Sequence, residues 1–269
     1  MILSDEHQFA FIHIPKCGGT SVRVQLGAID SYAGRFQMGE IETELGTVNL
    51  GHVPLHALEA LYPREFDKVV RYASLALVRD PHQRFLSSVM HRLVARQGVP
   101  MALVTGEMVR REAEAAIEVL DRDRSVLPAG YSHYTPQSWY VELRGRRLVK
   151  TIVPLDRRDL LQRCVQQATG LILDMAVREN LSAVPANSLM RGAVRLMRPV
   201  YRALLPSRAK NRLHSMMRQR GLFRHVGELY AGSSLGNDDI RRFIDSYYAR
   251  DFEIHAAALR SAAQAEVPT

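Results

Sequence analysis

Apolar and polar positions fall into short strand-length runs separated by longer helical patterns. Residues 8–14, QFAFIHI, are rich in aromatic and β-branched side chains and stop at Pro15. That length and composition predict a buried strand. Thr20 to Leu26 opens a helix directly after two glycines. A second apolar run, ASLALV at 73–78, is closed by Arg79-Asp80-Pro81. Asp before Pro starts a helix well, because Asp accepts from free N–H groups and proline suits the first helical position. That helix is predicted to run through FLSSVMHRLVA. Residues 148–153, LVKTIV, predict a third strand, followed by Pro154 and a helix over 156–168 that packs Cys164.

Strands alternating with helices predict an α/β fold with a central parallel sheet flanked by helices. Ligands of such sheets sit at the carboxyl ends of the strands. FIHI-PK and LALV-RD both place polar residues there. TVNL, ending at Leu50, is a shorter strand candidate. Residues 105–120 carry a helical charge pattern. Residues 188–204 and 208–218 read as basic helices, interrupted by Pro199 and Pro206. Residues 237–262 are helical again, capped by Asn237 or Asp238 and packed by Tyr247 and Tyr248, and 263–269 form a frayed tail. No repeat or low-complexity linker divides the chain. Residues 1–269 are expected to form one domain, with 180–227 as a basic helical extension.

Composition narrows this. The 269 residues are 46% hydrophobic and 24% charged, enough for a real core. Two cysteines, Cys17 and Cys164, rule out a disulfide scaffold and supply no metal cluster. A reducing compartment fits. The first residues lack a leader pattern, and no stretch reaches the ~20 apolar residues of a membrane span. The expected location is cytoplasmic, with peripheral contact at the inner face of the membrane as a variant.

The net charge of +8 calls for an anionic partner. From Asn180 to Gly227 there is no Asp or Glu, while ten arginines and lysines occur there. Arg191, Arg195, Arg198 and Arg202 share a helical face beside Leu196, Met197, Val200, Leu204 and Leu205. Such a stretch, 188–224, suits an anionic membrane surface or an acidic glycan, or is a solvated face over a packed one. Nucleic acid is not expected, because no aromatic residues are interleaved at base-stacking spacing.

Two motifs carry chemistry. In PKCGGTS, Gly18 and Gly19 tolerate positive φ and let backbone amides face an anion. The helix behind them adds its N-terminal dipole, Thr20 and Ser21 add hydroxyls, and Lys16 adds a mobile charge. The loop departs from the G-x-x-x-x-G-K-[ST] pattern. A plain strand-to-helix turn is the alternative. In RDPHQRFLSS, residues 79–88, Arg79 and Ser87 can converge on a second phosphate, with Arg84 the other candidate. A capped helix with solvated arginines is the alternative there.

Together these motifs resemble a known family. FIHIPKCGGTS is similar to the 5′-phosphosulfate loop of sulfotransferases that use 3′-phosphoadenosine 5′-phosphosulfate (PAPS). ALVRDPHQRFLSS is similar to their 3′-phosphate motif, in the same order and setting. The group resembled is the membrane-type carbohydrate sulfotransferases, including heparan sulfate 2-O-sulfotransferase and bacterial relatives, whose fold is a P-loop-like sheet. LGHVPLHALEAL, residues 50–61, resembles the segment with the proposed base. There a histidine pair flanks a glycine; Gly51 and His52 match, and Leu50 stands in place of the first histidine. YSHYTPQSWYV, 131–141, resembles a segment with His, Pro and Gln near acceptor and cofactor. RRFIDSYYARDFEIH, 241–255, resembles the terminal helix.

The resemblance implies roles. Pro15, Lys16, Cys17, Gly18, Gly19, Thr20 and Ser21 would hold the 5′-phosphosulfate, with Lys16 at the leaving oxygen. Arg79 and Ser87 would bind the 3′-phosphate, with Arg84 as the other candidate. His52 would be the general base and His133 its rival. His52, His133 and Gln137 would face the acceptor. Cys17 stands where the family has threonine, removing a hydroxyl and adding an oxidisable thiol. The implied reaction moves the sulfuryl group from PAPS to a carbohydrate hydroxyl, releases adenosine 3′,5′-bisphosphate (PAP) and needs no metal. Alternatives are a protein-tyrosine acceptor, a P-loop nucleotide kinase, and a non-catalytic protein binding anionic glycans or membranes. His13, alternating with Phe9 and Phe11, reads as a core histidine; His7, His56, His82 and His91 are given no role.

Overall fold

The computed structural model describes residues 1–122, 126–128, 130–174, 183–185, 223–225 and 238–265. Its centre is a four-stranded sheet of β1 (Ile2–Ser4), β2 (Phe9–Ile12), β5 (Ala73–Val78) and β8 (Thr151–Pro154), in that spatial order. β2–β5 and β5–β8 pair in parallel, as the alternating pattern predicts. β1 pairs antiparallel with β2 at one edge, so the sheet is mixed rather than wholly parallel. Three apolar-to-polar residues before a turn are too short a run to signal a strand by themselves.

The expected strand 148–153 begins only at Thr151. Leu148 and Val149 instead donate their backbone N–H groups to the Val141 carbonyl, at 2.9 and 3.2 Å. They close a small hairpin of β6 (Glu142–Leu143) and β7 (Arg146–Arg147).

Between β2 and β5 lie α1 (Gly19–Leu26), the hairpin β3 (Glu40–Thr43) and β4 (Gly46–Asn49), α2 (Leu55–Leu61) and α3 (Pro63–Arg71). TVNL thus falls largely on β4. Between β5 and β8 lie α4 (Pro81–His91), α5 (Gly106–Leu120) and α6 (Ser138–Val141). Asp80 caps α4 as predicted, its Oδ1 accepting from the Gln83 N–H at 2.9 Å. The helix continues as one wide π turn over Arg92–Arg96. α7 (Arg158–Thr169) follows β8 and carries the half-buried Cys164.

The expected helix over 237–262 is two helices, α8 (Asp238–Tyr247) and α9 (Ala249–Gln264). They break at Tyr248, whose hydroxyl donates to the Tyr134 carbonyl at 2.6 Å. Within 180–227 the described residues are two three-residue strands, β9 (Ala183–Pro185) and β10 (Phe223–His225), paired antiparallel rather than helical. The predicted basic helices 188–204 and 208–218 lie outside the described residues, as do residues 266–269 of the predicted tail.

Two apolar clusters hold the elements. One packs the sheet, with Phe9, Phe11, Leu75 and Val153, against α1, α2 and α7. The other joins α4, α5 and α8 through Phe85, Val89, Val109, Ala113 and Ile244. No helix among the described residues is long and apolar enough to cross a membrane.

Candidate functional site

The chain leaves β2 at Ile12 and turns into α1 through Lys16 and Gly18, whose φ angles are +64° and +73°. Both glycines of the loop are dictated by space. A β-carbon on Gly18 would stand 2.5 Å from Leu155 Cδ1, and one on Gly19 would stand 2.4 Å from His13 Cδ2. The loop therefore lies pressed between β8 and the His13 ring. Gly18 caps α1 without a side-chain hydrogen bond, so the first-turn amides are left for another acceptor.

Lys16 is half-buried beside this turn. Burial, and then the neighbouring Arg79 charge, lower its pKa to about 8. Cys17 is fully buried and its thiol donates to Gln137 Oε1 at 3.1 Å. Burial pushes that thiol up to about 12. The expected oxidisable thiol is thus a protonated, enclosed one, because a thiolate there would be desolvated.

Arg79 ends β5 across from the loop. Its Nη1 lies 3.5 Å from the Lys16 carbonyl oxygen. Gln137 fixes its backbone from both sides: Oε1 accepts from the Arg79 N–H and Nε2 donates to the Arg79 carbonyl, each at 2.9 Å. One amide thereby ties the glycine loop, through Cys17, to the end of β5. Asp251 of α9 supports it, accepting from the Gln137 and Ser138 N–H groups at 2.7 and 2.8 Å.

Two expected site residues change place. Gln137, predicted to face an acceptor, is fully buried and its side-chain amide is engaged as just described. Arg84, predicted as a phosphate candidate, is 1% exposed. It donates to the His133 and Tyr134 carbonyls at 3.1 and 3.4 Å and lies 3.8 Å from Asp251. Both residues brace the site from behind. Ser87, one turn along α4 from Gln83, does line the open side with Arg79.

A group of histidines faces the same space. The rings of His13 and His52 are 4.5 Å apart, those of His52 and His133 5.3 Å, and those of His133 and His91 4.2 Å. His52 Nδ1 donates to the His13 carbonyl at 2.9 Å. His133 and His91 share a hydrogen bond between their Nδ1 atoms, also at 2.9 Å. The His133 carbonyl is held by the Ser88 hydroxyl at 2.8 Å and by Arg84. Burial lowers all four pKa values, that of His52 to about 3 and that of His91 to about 4. The imidazoles are neutral near pH 7.

Sequence reasoning missed His91, yet a signal exists: it lies four residues after Ser87, on the same helix face. His13 is buried as expected, but its ring also borders the cleft, and its Nδ1 has no hydrogen-bond partner among the described residues.

These residues surround one cleft of about 730 Å³. Lys16, Gly18, Thr20, Arg79 and Ser87 line one end, and His13, His52, His91 and His133 line the wall beside it. No carboxylate lines it among the described residues. Fixed cations and open amides at one end, with neutral imidazoles beside them, make a place for an anion next to a proton acceptor.

Residues 1–139, just over half of the 269-residue chain, match the model of a family described as the sulfotransferase family. No curated protein and no solved structure matches the chain.

Proposed function

The chain belongs to the sulfotransferase family, and we propose that it moves the sulfuryl group of PAPS to a carbohydrate hydroxyl by in-line displacement without a metal. The observation that carries this reading is that Lys16 of the glycine loop and Arg79 after β5 line one cleft with His52, the Arg79 guanidinium 3.5 Å from the Lys16 backbone carbonyl.

The residues suit such a donor. A glycine loop in which a β-carbon would force Leu155 or His13 to shift brings amides close to a 5′-phosphosulfate, with Pro15 and Cys17 shaping the turn and Thr20 and Ser21 on its first helical turn. Arg79 and Ser87 stand where a 3′-phosphate would be met. When bound, PAPS supplies a sulfuryl group and a phosphate leaving group: its sulfur–oxygen bond to phosphate breaks as a bond to the acceptor oxygen forms, and the acceptor proton is released.

The chain's own residues perform four tasks. Lys16 sets a positive charge where the leaving oxygen gains negative charge. His52 receives the acceptor proton on Nε2, because its Nδ1 proton is committed to the His13 carbonyl. His133 packs edge-on against His52 and orients it. Gln137 and Asp251 hold the two donor-binding ends in register, so that positioning is settled before substrates arrive. A cytoplasmic location, with the stretch 188–224 meeting an anionic membrane, belongs to this reading and rests on the sequence.

Radiolabelled PAPS offered in EDTA with glycosides, oligosaccharides and tyrosine peptides tests it. The expected result is label on a carbohydrate hydroxyl with stoichiometric PAP. Label on tyrosine would reassign the acceptor. Phosphate transfer from ATP that requires magnesium, with no sulfuryl transfer, would establish the kinase instead.

A further inference from the structure

Helix α4 lines the cleft with Ser87, and three of its other residues converge on His133. Arg84 Nη1 and the Ser88 hydroxyl both donate to the His133 carbonyl, at 3.1 and 2.8 Å. Farther along the helix, His91 Nδ1 meets His133 Nδ1 at 2.9 Å. Residues 84, 88 and 91 fall on one helix face by their i, i+4, i+7 spacing. His133 itself sits on a single short turn, Ser132–Tyr134. Two contacts from α4 hold its backbone, and a third holds its ring.

The third contact differs from the other two. Arg84 and Ser88 are fully buried, and Arg84 also meets Tyr134 and Asp251. His91 is half-buried and borders the cleft, and the helix widens into its π turn at the next residue. Such turns are enriched at functional sites. The bond also constrains the rings chemically. Two neutral imidazoles that meet through Nδ1 place one proton between them, so one ring carries Nδ1–H and the other Nε2–H. The tautomer of each therefore depends on the other. His133 in turn packs against His52, their ring centres 5.3 Å apart and their planes at 80°. The other ring against His52 is that of His13, at 4.5 Å.

We infer that His91 is a positioning residue for sulfuryl transfer: through the shared Nδ1 bond it locks the His133 ring, and the locked ring holds His52 in place as the base. This rests on the sulfuryl-transfer reading above. The helix that offers Ser87 to the donor then also sets the histidine wall, so one rigid element fixes the spacing of donor and base. The bond needs a polar atom at the Nδ1 position of residue 91. Asparagine supplies one, as acceptor or donor, and leucine does not. With leucine the His133 Nδ1 loses its partner, and its ring turns towards water to regain one.

The test combines side-chain nitrogen-15 spectra of the histidines in PAP-saturated protein with calorimetric titration of PAP. In the wild type, His52 is expected as the Nδ1–H tautomer, and His91 and His133 as opposite tautomers, each fixed. His91→Leu should average the tautomers of His133 and shift the His52 ring signals. His91→Asn should leave the His52 signals as in the wild type. PAP should bind all three proteins equally. Unshifted His52 signals in the leucine variant, an asparagine variant as disturbed as the leucine one, or like tautomers at 91 and 133 would overturn the inference and leave the donor site standing. So would a loss of PAP affinity in the leucine variant, which would make His91 a support of the donor site instead. Failure of PAP to bind the wild type would overturn the sulfuryl-transfer reading and this inference with it.

Discussion

The Nδ1 atom of His52 lies 2.9 Å from the carbonyl oxygen of His13, at the point where β2 gives way to the glycine loop. A carbonyl can only accept, so Nδ1 carries the proton and Nε2 keeps its lone pair. The strand that feeds the glycine loop thus also sets the tautomer of His52, the proposed base. His52→Ala should lower the single-turnover rate by about 10²–10⁴-fold, with PAP affinity unchanged. Because burial holds His52 near 3 rather than its ordinary 6.5, kcat/KM should stay level as pH falls from 7 to 5. A drop centred near 6.5 would assign the base elsewhere.

Lys16 should limit the alkaline side. Its pKa is lowered to about 8 by burial and then by Arg79. A lysine is charged below its pKa, so the cation proposed to meet the leaving group is lost as pH rises through about 8. The profile of kcat/KM for the donor, which reports the free enzyme, should fall above that pH. Lys16→Arg should move the fall to higher pH, because guanidinium stays charged. A wild-type profile level to pH 10 would contradict this.

Gln137→Ala should act on both stability and donor affinity. It leaves the half-buried Arg79 N–H and carbonyl without their 2.9 Å partners. Orphaned groups of this kind cost about 1–3 kcal/mol each. Urea unfolding should show a lower midpoint with an unchanged slope, and PAP should bind more weakly. A variant of unchanged stability would mean that Gln137 contacts substrate rather than backbone.

Asp251→Ala should be more damaging. It strips two N–H groups of their acceptor and leaves Arg84, 1% exposed, without its nearest carboxylate. Breaking a buried pair in this way costs about 3–5 kcal/mol. Thermal unfolding measures it, and a shift within that of surface substitutions would show that Arg84 is compensated by its carbonyl contacts and the Tyr248 ring.

The sequence pattern made the strands and loop of the proposed donor side legible and the bracing behind them illegible. Phe9–Ile12, Ala73–Val78 and the Asp80-Pro81 helix start are local signals: apolar runs of strand length, a cap and a proline. They placed Lys16 and Arg79 at one sheet edge, with Ser87 on the helix that follows. Gln137 and Asp251 carry no such signal. Their roles depend on partners 58 and 114 residues away, which only the folded chain brings together. Arg84 misled for a related reason, since a helix arginine reads as solvated until its neighbours are known to be Tyr134, Tyr248 and Asp251. His91 was overlooked because its partner, His133, lies 42 residues on. β1 was missed because three residues carry too little pattern to read.

The central claim is that Lys16, the glycine loop, Arg79 and Ser87 form one donor site. Titration of the protein with PAP by calorimetry, in EDTA, tests it most directly. The account predicts saturable binding at one site, weakened about 10–100-fold by Arg79→Ala or Ser87→Ala, as loss of a hydrogen bond to a charged phosphate implies. An absence of binding, or binding indifferent to both substitutions, would contradict it.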